Sequence, residues 1–206
     1  MNSKIWHGLG AAGLALVLGA SAALAQQPQM MRVRGTIEKV DGNTLTVKAR
    51  DGVNLTIKTT DTVRVLGLAK ASLADIGVDS YIGVTAMPQP DGSQKAVAIH
   101  IFTPQQRGVA EGHRPWDLQP NSTMTNAAVG SKVAAAEGNV LMMKYKGGEK
   151  KVVVTPQTSI VKVVPGEKSE IKAGAKIIIM GAAKQPDGTL QAAALYVGKD
   201  GITPPM

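Results

Sequence analysis

The sequence predicts an all-β protein made of two tandem OB-like five-stranded barrels, each with one short helix. β-Sandwich repeats are the alternative. Apolar and polar residues alternate along short segments bounded by turn residues, which is typical of half-buried strands. A large part of the sequence recurs at a constant offset. Only 3% of the residues are aromatic and none is cysteine, so aliphatic side chains must form the core.

The recurrence is the most specific feature of the sequence. A shift of 96 positions aligns residues 42–101 with residues 138–197 without a gap. The same turn sequence, Gln-Pro-Asp-Gly, then begins at Gln89 and at Gln185. This indicates two copies of one domain, at 26–103 and 131–199, followed by a tail over 200–206.

The pattern of each copy predicts three strands, a short helix and two further strands, which is the order of elements in an OB-fold. In the first copy, Asp51-Gly52 predicts a hairpin turn, the spacing of apolar residues predicts a helix over 68–77, and Pro90-Asp91-Gly92 predicts a second turn. The apolar residues that mark its strands are Val33, Ile37, Leu45, Val47, Ala49, Val53, Leu55, Ile57, Val63, Val65, Ile82, Val84, Ala86, Val97, Ile99 and Ile101.

The second copy repeats this order. Its strands are predicted over 140–146, 150–155, 176–183 and 190–197, and its helix over 167–173. Residues 133–137 lack the Gly-Thr-Ile element that begins the first copy, so we expect an irregular first strand there.

The first 25 residues have the features of a secretory signal peptide. Lys4 precedes an apolar run over 9–18, and small residues lead to a predicted cleavage after Ala25. The run is shorter than the roughly 20 residues that span a bilayer, which disfavours the alternative of an uncleaved anchor. The sequence therefore predicts a periplasmic or secreted bacterial protein that does not span a membrane.

Residues 104–130 form a predicted linker or long loop, because prolines and glycines interrupt any regular element. This linker contains Trp116, one of two tryptophans in the chain. Two interpretations are open. Trp116 packs the linker onto a barrel or into an interdomain groove, or His113, Arg114 and Trp116 form part of a recognition surface.

No catalytic motif is present, so we predict a protein that is not an enzyme and has no catalytic residues or cofactor. Without cysteine, thiol catalysis and Cys-based metal sites are excluded. No phosphate-binding glycine loop occurs. His100 and His113 have no motif around them, and His100 occupies an alternating polar position that predicts an outward, solvated side chain.

The chain is basic, with a formal net charge of +8. Four lysines cluster around the first hairpin of the second copy: Lys144, Lys146, Lys150 and Lys151. A basic strand face suits an anionic envelope polymer or a protein partner. Nucleic acid is not expected, because its binding without sequence preference relies on aromatic residues, which are scarce here. Lysines that only serve solubility are the simpler interpretation.

Soft-metal binding is the alternative function. Thioethers suit Cu(I), and Met30 and Met31 near the predicted new N-terminus are weak candidate ligands, although dedicated sites cluster more methionines. Met142 and Met143 are explained as strand residues, since methionine commonly fills cores.

The pattern from Val33-Arg34-Gly35-Thr36-Ile37 through Asp41-Gly42-Asn43 and Leu45 to Pro90-Asp91-Gly92 resembles a family of small exported bacterial β-domains of unknown function. The resemblance covers both copies but not the linker, and it implies an OB-like fold and export without any catalytic motif. We therefore predict an exported binding or scaffolding protein for an anionic envelope component or a protein partner. The alternative is a periplasmic copper-binding or copper-carrier protein.

Overall fold

A computed structural model describes residues 29–135 and 138–206, most of which lie in β-strands. The predicted signal peptide, 1–25, lies outside the described residues. The strands of this part of the chain are β1 (Met30–Asp41), β2 (Thr44–Ala49), β3 (Asn54–Lys70), β4 (Tyr81–Pro88), β5 (Gln94–Ile101), β6 (Gly112–Pro115), β7 (Thr123–Ala135), β8 (Gly138–Tyr145), β9 (Gly148–Val154), β10 (Ser159–Pro165), β11 (Lys176–Lys184) and β12 (Leu190–Gly198).

Five strands close into a barrel. β1 pairs with β2 and β11, β2 pairs with β3, and β11 pairs with β12, all antiparallel. β12 then pairs in parallel with β3 and completes the ring. Its interior is aliphatic and holds the buried residues Val33, Ile37, Leu45, Val47, Ile57, Val63, Val65, Ile177, Ile179, Ala182, Leu190, Ala192, Leu195 and Val197.

A second group of strands surrounds a separate core. β5, β4, β7, β8 and β9 pair in that order, and β9 returns to β5 through two residue pairs, Gln94–Val152 and Lys95–Val153. Its core contains Ile76, Ile82, Val84, Ala86, Ala96, Ile99, Ala127, Val129, Leu141, Met143, Val152 and Val154. β10 pairs with β3 of the barrel and with β5 of this second group, and so joins the two.

The alternation in the sequence is confirmed as all-β structure. In β2, Leu45 and Val47 are fully buried while Thr46 and Lys48 point away from the core. The turn glycine Gly92 has a φ of +79°, a left-handed conformation that favours glycine. Local patterns of this kind depend only on neighbouring residues, which explains why they are readable without a structure.

The expectation that each sequence copy closes around its own interior is wrong. The barrel combines β1–β3 from the first copy with β11 and β12 from the second, and the second group combines β4 and β5 with β7–β9. The physical reason is the length of β3. Its 17 residues extend over about 55 Å, so the strand leaves the barrel and carries β4 and β5 away from β1 and β2.

The predicted short helices are not confirmed. Residues 68–70 belong to β3, and the rest of the predicted segment contains one 3₁₀ turn, Leu73–Asp75. A second 3₁₀ turn, Lys168–Glu170, occupies part of the other predicted helix. Leu68 is fully buried and pairs with Val163 of β10, so tertiary pairing outweighs its local helical spacing.

The predicted linker, 104–130, contains regular structure. β6 lies within it, and β7 begins at Thr123 and pairs with β4. The first strand of the second copy is paired from Ser131 to Ala135, and its irregularity lies between Val129 and Ser131 instead. The prolines Pro115 and Pro120 bound the turn between β6 and β7.

A third apolar cluster lies between the barrel and the second group. It is formed by Leu68, Met124, Val161, Val163, Ile178 and Met206, with Leu66, Trp116, Tyr196 and Ile202 packed against it. The predicted tail, 200–206, therefore packs into the fold, since Met206 is only 2% exposed. Within the described ranges, we find no helix with the length and apolar character needed to cross a bilayer.

Candidate ligand-binding site

A cavity of about 600 Å³ lies beside the third apolar cluster, where the barrel and the second group face each other. This volume falls within the range of small-molecule sites in proteins. β3, β11 and β12 line one side, and β5, β6, β7 and the segment after β5 line the other. The lining side chains include Arg64, Leu66, His100, Phe102, Gln106, Arg114, Trp116, Met124, Asn126, Met180, Tyr196 and Met206.

Three neighbouring strands position the most buried polar side chains that line the cavity. Gly83 of β4 pairs with His100 of β5 on one side and with Asn126 of β7 on the other. His100 and Asn126 are each 4% exposed. A Cβ atom on Gly83 would lie 2.1 Å from Nε2 of His100 and 2.7 Å from Oδ1 of Asn126. Glycine at this position is therefore what allows both side chains to lie together over β4.

His100 is held in its neutral form. Burial and then the positive charge of Arg114 lower the pKa of His100 from its usual 6.5 to about 3. The Phe102 ring and the imidazole pack in a T-shaped arrangement, with ring centroids 4.5 Å apart and an interplanar angle of 77°. His100 can thus exchange hydrogen bonds at neutral pH but carries no charge.

Three buried polar atoms of the cavity wall have no hydrogen-bond partner within residues 29–135 and 138–206: Nδ1 of His100, Oδ1 of Asn126 and Nε1 of Trp116. The amide nitrogen of Asn126 donates to the carbonyl oxygen of Val109 at 3.1 Å, which assigns Oδ1 as its free acceptor. An unpaired buried polar atom costs free energy, and neighbouring atoms shield all three of these atoms from the open cavity.

The charges at the cavity are positive. Arg64 is exposed at its outer side, and Arg114 is half-buried beside Ala110, whose carbonyl oxygen accepts a 2.8 Å hydrogen bond from Nη1 of Arg114. Burial and the nearby Arg32 lower the pKa of Arg114 from its usual value. No aspartate or glutamate is present among the described residues that line the cavity. This electrostatic environment favours an anion.

Arginines of β1 hold Trp116 in place from outside. The guanidinium of Arg32 stacks on the indole, 3.7 Å from the ring centroid. Asp117 accepts a 2.6 Å contact from Arg32 and a 2.7 Å hydrogen bond from Arg34, and Arg34 also donates to the carbonyl oxygen of Met206. Burial alone would raise the pKa of Asp117, but the two arginines lower that pKa to about 2. The contacts of Arg32 and Arg34 thus hold Trp116 and Met206 against β1 of the barrel.

Comparison with family models, curated proteins and solved structures finds no match to this chain. Those comparisons do not bear on the resemblance to small exported bacterial β-domains, which stays a prediction.

The structure brings together two of the three predicted linker residues. Arg114 and Trp116 line the cavity, and Arg114 lies 5.5 Å from the centre of the Trp116 ring. His113 precedes Arg114 on β6 and points elsewhere, with Nδ1 2.8 Å from the hydroxyl of Thr125. Burial, and then Lys150 and Arg114, lower the pKa of His113 from its usual value.

The four predicted lysines do not form one face. Lys150 is half-buried opposite Met143, whereas Lys151 is exposed on the other face of β9 and lies 3.7 Å from Asp91. Lys144 lies over Gly130, and the backbone N–H of Lys146 donates to Glu111. None of the four lines the cavity.

The two candidate metal ligands near the N-terminus are strand residues of β1. Met30 is 63% exposed, and Met31, paired with Ala182, packs against the barrel core. Adjacent strand residues point to opposite faces, so these two thioethers diverge. In the part of the chain that the structure describes, no group of three His, Cys, Asp or Glu residues could hold a metal ion.

The prediction that His100 is solvated is wrong, and the site was missed for that reason. The alternation of β5 correctly places His100 away from the second core, but β7, Phe102 and the segment around Val109 cover that face. The sequence contained one indication that His100 belongs to a site. The 96-residue offset aligns His100 with Tyr196, and both residues line the cavity.

Proposed function

We propose that this protein is an exported, non-enzymatic binding protein of the bacterial envelope and that it holds an anionic envelope component in the cavity. The observation that carries the proposal is the charge of the lining: Arg64 and Arg114, with no acidic residue among the described lining residues. Aromatic and aliphatic walls around a few polar groups are the usual composition of small-molecule sites.

Two features support binding rather than catalysis. His100 is neutral and has no carboxylate partner among the residues that the structure describes, so it lacks there the orienting group of a catalytic dyad or triad. The walls are fixed by the ion pairs of Arg32 and Arg34 with Asp117. A preformed site of this kind loses little conformational entropy when it binds.

Trp116 fluorescence tests the proposal directly. The sequence contains only Trp6 and Trp116, so in a protein cut after Ala25 the signal comes from the cavity alone. We expect phenylacetate to change this fluorescence with saturation and phenethylamine, its cationic counterpart, to leave it unchanged. Arg114→Met should weaken phenylacetate binding at least tenfold.

Arg107→Met is the matched control. Arg107 is an exposed arginine of the same chain segment that pairs with Asp79 and does not line the cavity. Equal losses in the two variants, or equal binding of the anion and the cation, would contradict an anion site at Arg114.

An anionic polymer or a protein partner would use the surface rather than the cavity, and the lysines of the β8–β9 hairpin support that version of the proposal. Retention on an anionic polysaccharide column should then decrease with salt, because exposed charges are screened. Unchanged retention after charge reversal of Lys144, Lys146, Lys150 and Lys151 would eliminate the hairpin as the polymer site.

Copper binding is the second candidate, and one observation favours it. Met124, Met180 and Met206 line the same cavity as the neutral His100, and thioether and imidazole ligands suit Cu(I). The two arginines oppose a cation there. Titration with Cu(I) under reducing conditions separates the candidates, since uptake that is lost in Met124→Leu would support the carrier and absence of uptake would remove it.

A further inference from the structure

We propose that a second site, on the outer face of the barrel, binds a phosphate monoester group through Lys48, Arg50 and Lys176. The site is a recess of about 300 Å³ that β1, β2, β11 and residues 203–204 line, and we call it the basic recess. No described residue lines both the basic recess and the cavity between the barrel and the second group. The second site therefore goes beyond the proposed function and does not depend on it.

The register of three strands brings the side chains of the basic recess together. Thr36 of β1 pairs with Lys48 of β2 on one side and with Lys176 of β11 on the other. The backbone N–H of Arg50 donates to the carbonyl oxygen of Arg34 at 2.9 Å, so these two arginines form the next row. Residues opposite one another on paired strands point to the same face, and neighbouring strands lie about 5 Å apart. The alternate residues of these strands fill the barrel core, so both rows face outward.

The positive charge of the basic recess is not balanced by acidic residues. No aspartate or glutamate is among the described residues that line it. Within residues 29–135 and 138–206, Lys48, Arg50 and Lys176 take part in no ion pair. Glu38 and Asp51 are close to them in sequence but pair with none of the three. Three cations in one recess attract an anion from solution.

Arg50 shows that this charge is unfavourable without an anion. It lies opposite Arg34, and like charges directly opposite each other on paired strands destabilise a sheet. Asp117 pairs with Arg34 at 2.7 Å and offsets part of this repulsion. Even so, partial desolvation and then the charge of Arg34 lower the pKa of Arg50 from its usual value. A bound anion would counter this repulsion.

The arrangement of donors favours a phosphate group over a carboxylate. Lys48 and Lys176 lie on either side of the Thr36 hydroxyl, and Arg50 lies in the next row. A phosphate monoester offers three acceptor oxygens and nearly two negative charges, whereas a carboxylate offers two oxygens and one charge. Arginine can bind phosphate through two parallel hydrogen bonds, and lysine binds it as a point charge. A volume of about 300 Å³ is at the lower end of small-molecule sites, which suits a small ester.

Isothermal titration calorimetry with glycerol 3-phosphate tests the basic recess. We expect saturable binding by the wild type and at least tenfold weaker binding of glycerate, which carries a carboxylate instead of the phosphate. Arg50→Gln and Lys176→Gln should each weaken the binding of glycerol 3-phosphate about tenfold, because each removes a charge-assisted hydrogen bond. Arg50→Lys keeps the charge but loses the two parallel bonds, so it should retain part of the affinity.

Lys70→Gln is the matched control. Lys70 is an exposed lysine of β3 in the same barrel, and it lines neither the basic recess nor the cavity. Thermal unfolding verifies the fold of each variant. Because Arg50 makes no ion pair among the described residues, Arg50→Gln should unfold at about the wild-type temperature without ligand. Glycerol 3-phosphate should then raise the unfolding temperature of the wild type and of Lys70→Gln, but much less that of Arg50→Gln.

Vesicles distinguish a soluble ester from a lipid headgroup. Retention on vesicles of phosphatidylcholine with phosphatidate, absent with phosphatidylcholine alone and lost in Arg50→Gln, would assign the phosphate to a lipid. Binding of glycerol 3-phosphate without such retention would assign it to a soluble ester.

Three results would overturn the second site. These are equal affinity of the wild type for glycerate and glycerol 3-phosphate, equal affinities of Arg50→Gln, Lys176→Gln and Lys70→Gln, and absence of binding to both glycerol 3-phosphate and the phosphatidate vesicles. Titration of Trp116 fluorescence with phenylacetate then reports on the cavity separately, and saturable binding there would leave the proposed function in place.

Discussion

Gly83 of β4 lies where a side chain would collide with His100, which lines the cavity. A methyl group there would lie 2.0 Å from Cε1 of His100, which is far too close for carbon atoms. His100 is buried and cannot swing into solvent without leaving its contact with Phe102. We therefore expect Gly83→Ala to destabilise the protein by about 1–3 kcal/mol, the usual range for overpacking.

Gly77→Ala is the matched control for this prediction. The nearest atom that its added methyl would meet is Oγ of Ser80, at 3.9 Å. Urea unfolding of both variants measures the difference. Equal midpoints for the two variants would show that the space above β4 is not as tight as the structure has it.

The pKa of His100 predicts how stability depends on pH. That pKa is about 3 in the folded protein and 6.5 in an unfolded chain. Between these values the unfolded chain binds a proton at His100 and the folded protein does not. The free energy of unfolding therefore decreases as pH falls from 6.5 toward 3.

His100→Gln removes this titration, so its urea midpoint should change less than that of the wild type between pH 6.5 and 4.5, above the range in which most carboxylates titrate. His113→Gln should flatten the curve less, because His113 is only partly buried. Parallel curves for the wild type and His100→Gln would contradict a buried neutral imidazole.

At the scale of elements, the exchange of strands between the two aligned segments can be tested by cross-linking. Lys58 of β3 pairs with Gln191 of β12, and both are exposed. The chain has no cysteine, so Lys58→Cys with Gln191→Cys should form a disulfide cleanly, since paired strands lie about 5 Å apart.

The contrasting pair is Lys58→Cys with Lys95→Cys. Lys95 lies on β5, at the position that the 96-residue offset aligns with Gln191. A first copy that closed on itself would bring β5 beside β3, whereas here β5 pairs with β9 and β10. Mass spectrometry of non-reduced peptides should find the first disulfide and not the second, and the reverse result would restore two self-contained copies.

The elements show which part of the fold the sequence could predict. Strands and hairpins were predictable because their signals depend on residues only a few positions apart. These signals are the alternation of apolar and polar residues in β2, β4 and β5 and the Pro-Asp-Gly sequences of the turns. The partner of β3 was not, because β12 lies more than 120 residues away and the same apolar pattern suits either copy. The site was predictable only at Arg114 and Trp116, since His100 owes its burial to strands from both halves.

For the whole molecule, shared strands predict a single cooperative unfolding transition. The barrel core and the second core each contain residues from both halves of the chain. Neither core can persist once the other half has unfolded. Trp116 fluorescence and far-UV circular dichroism should therefore give coincident urea curves.

Core truncations make this prediction sharper. Ile37→Ala acts on the barrel and Leu141→Ala on the second core, and both side chains are fully buried. Each should destabilise the protein by about 2–5 kcal/mol and move the one transition as a whole. Two separable transitions, with each variant shifting only its own, would show that the cores are independent domains.

The pairing of β1 and β3 with β11 and β12 also determines when the protein can fold during synthesis. The chain emerges from its N-terminus, and β1 and β3 each expose one open edge until residues 176–198 arrive. Contacts of such long sequence separation slow folding. A chain stalled before β11 would present unpaired strand edges to its neighbours and aggregate, so molecular chaperones should associate with the nascent protein until its last two strands are complete.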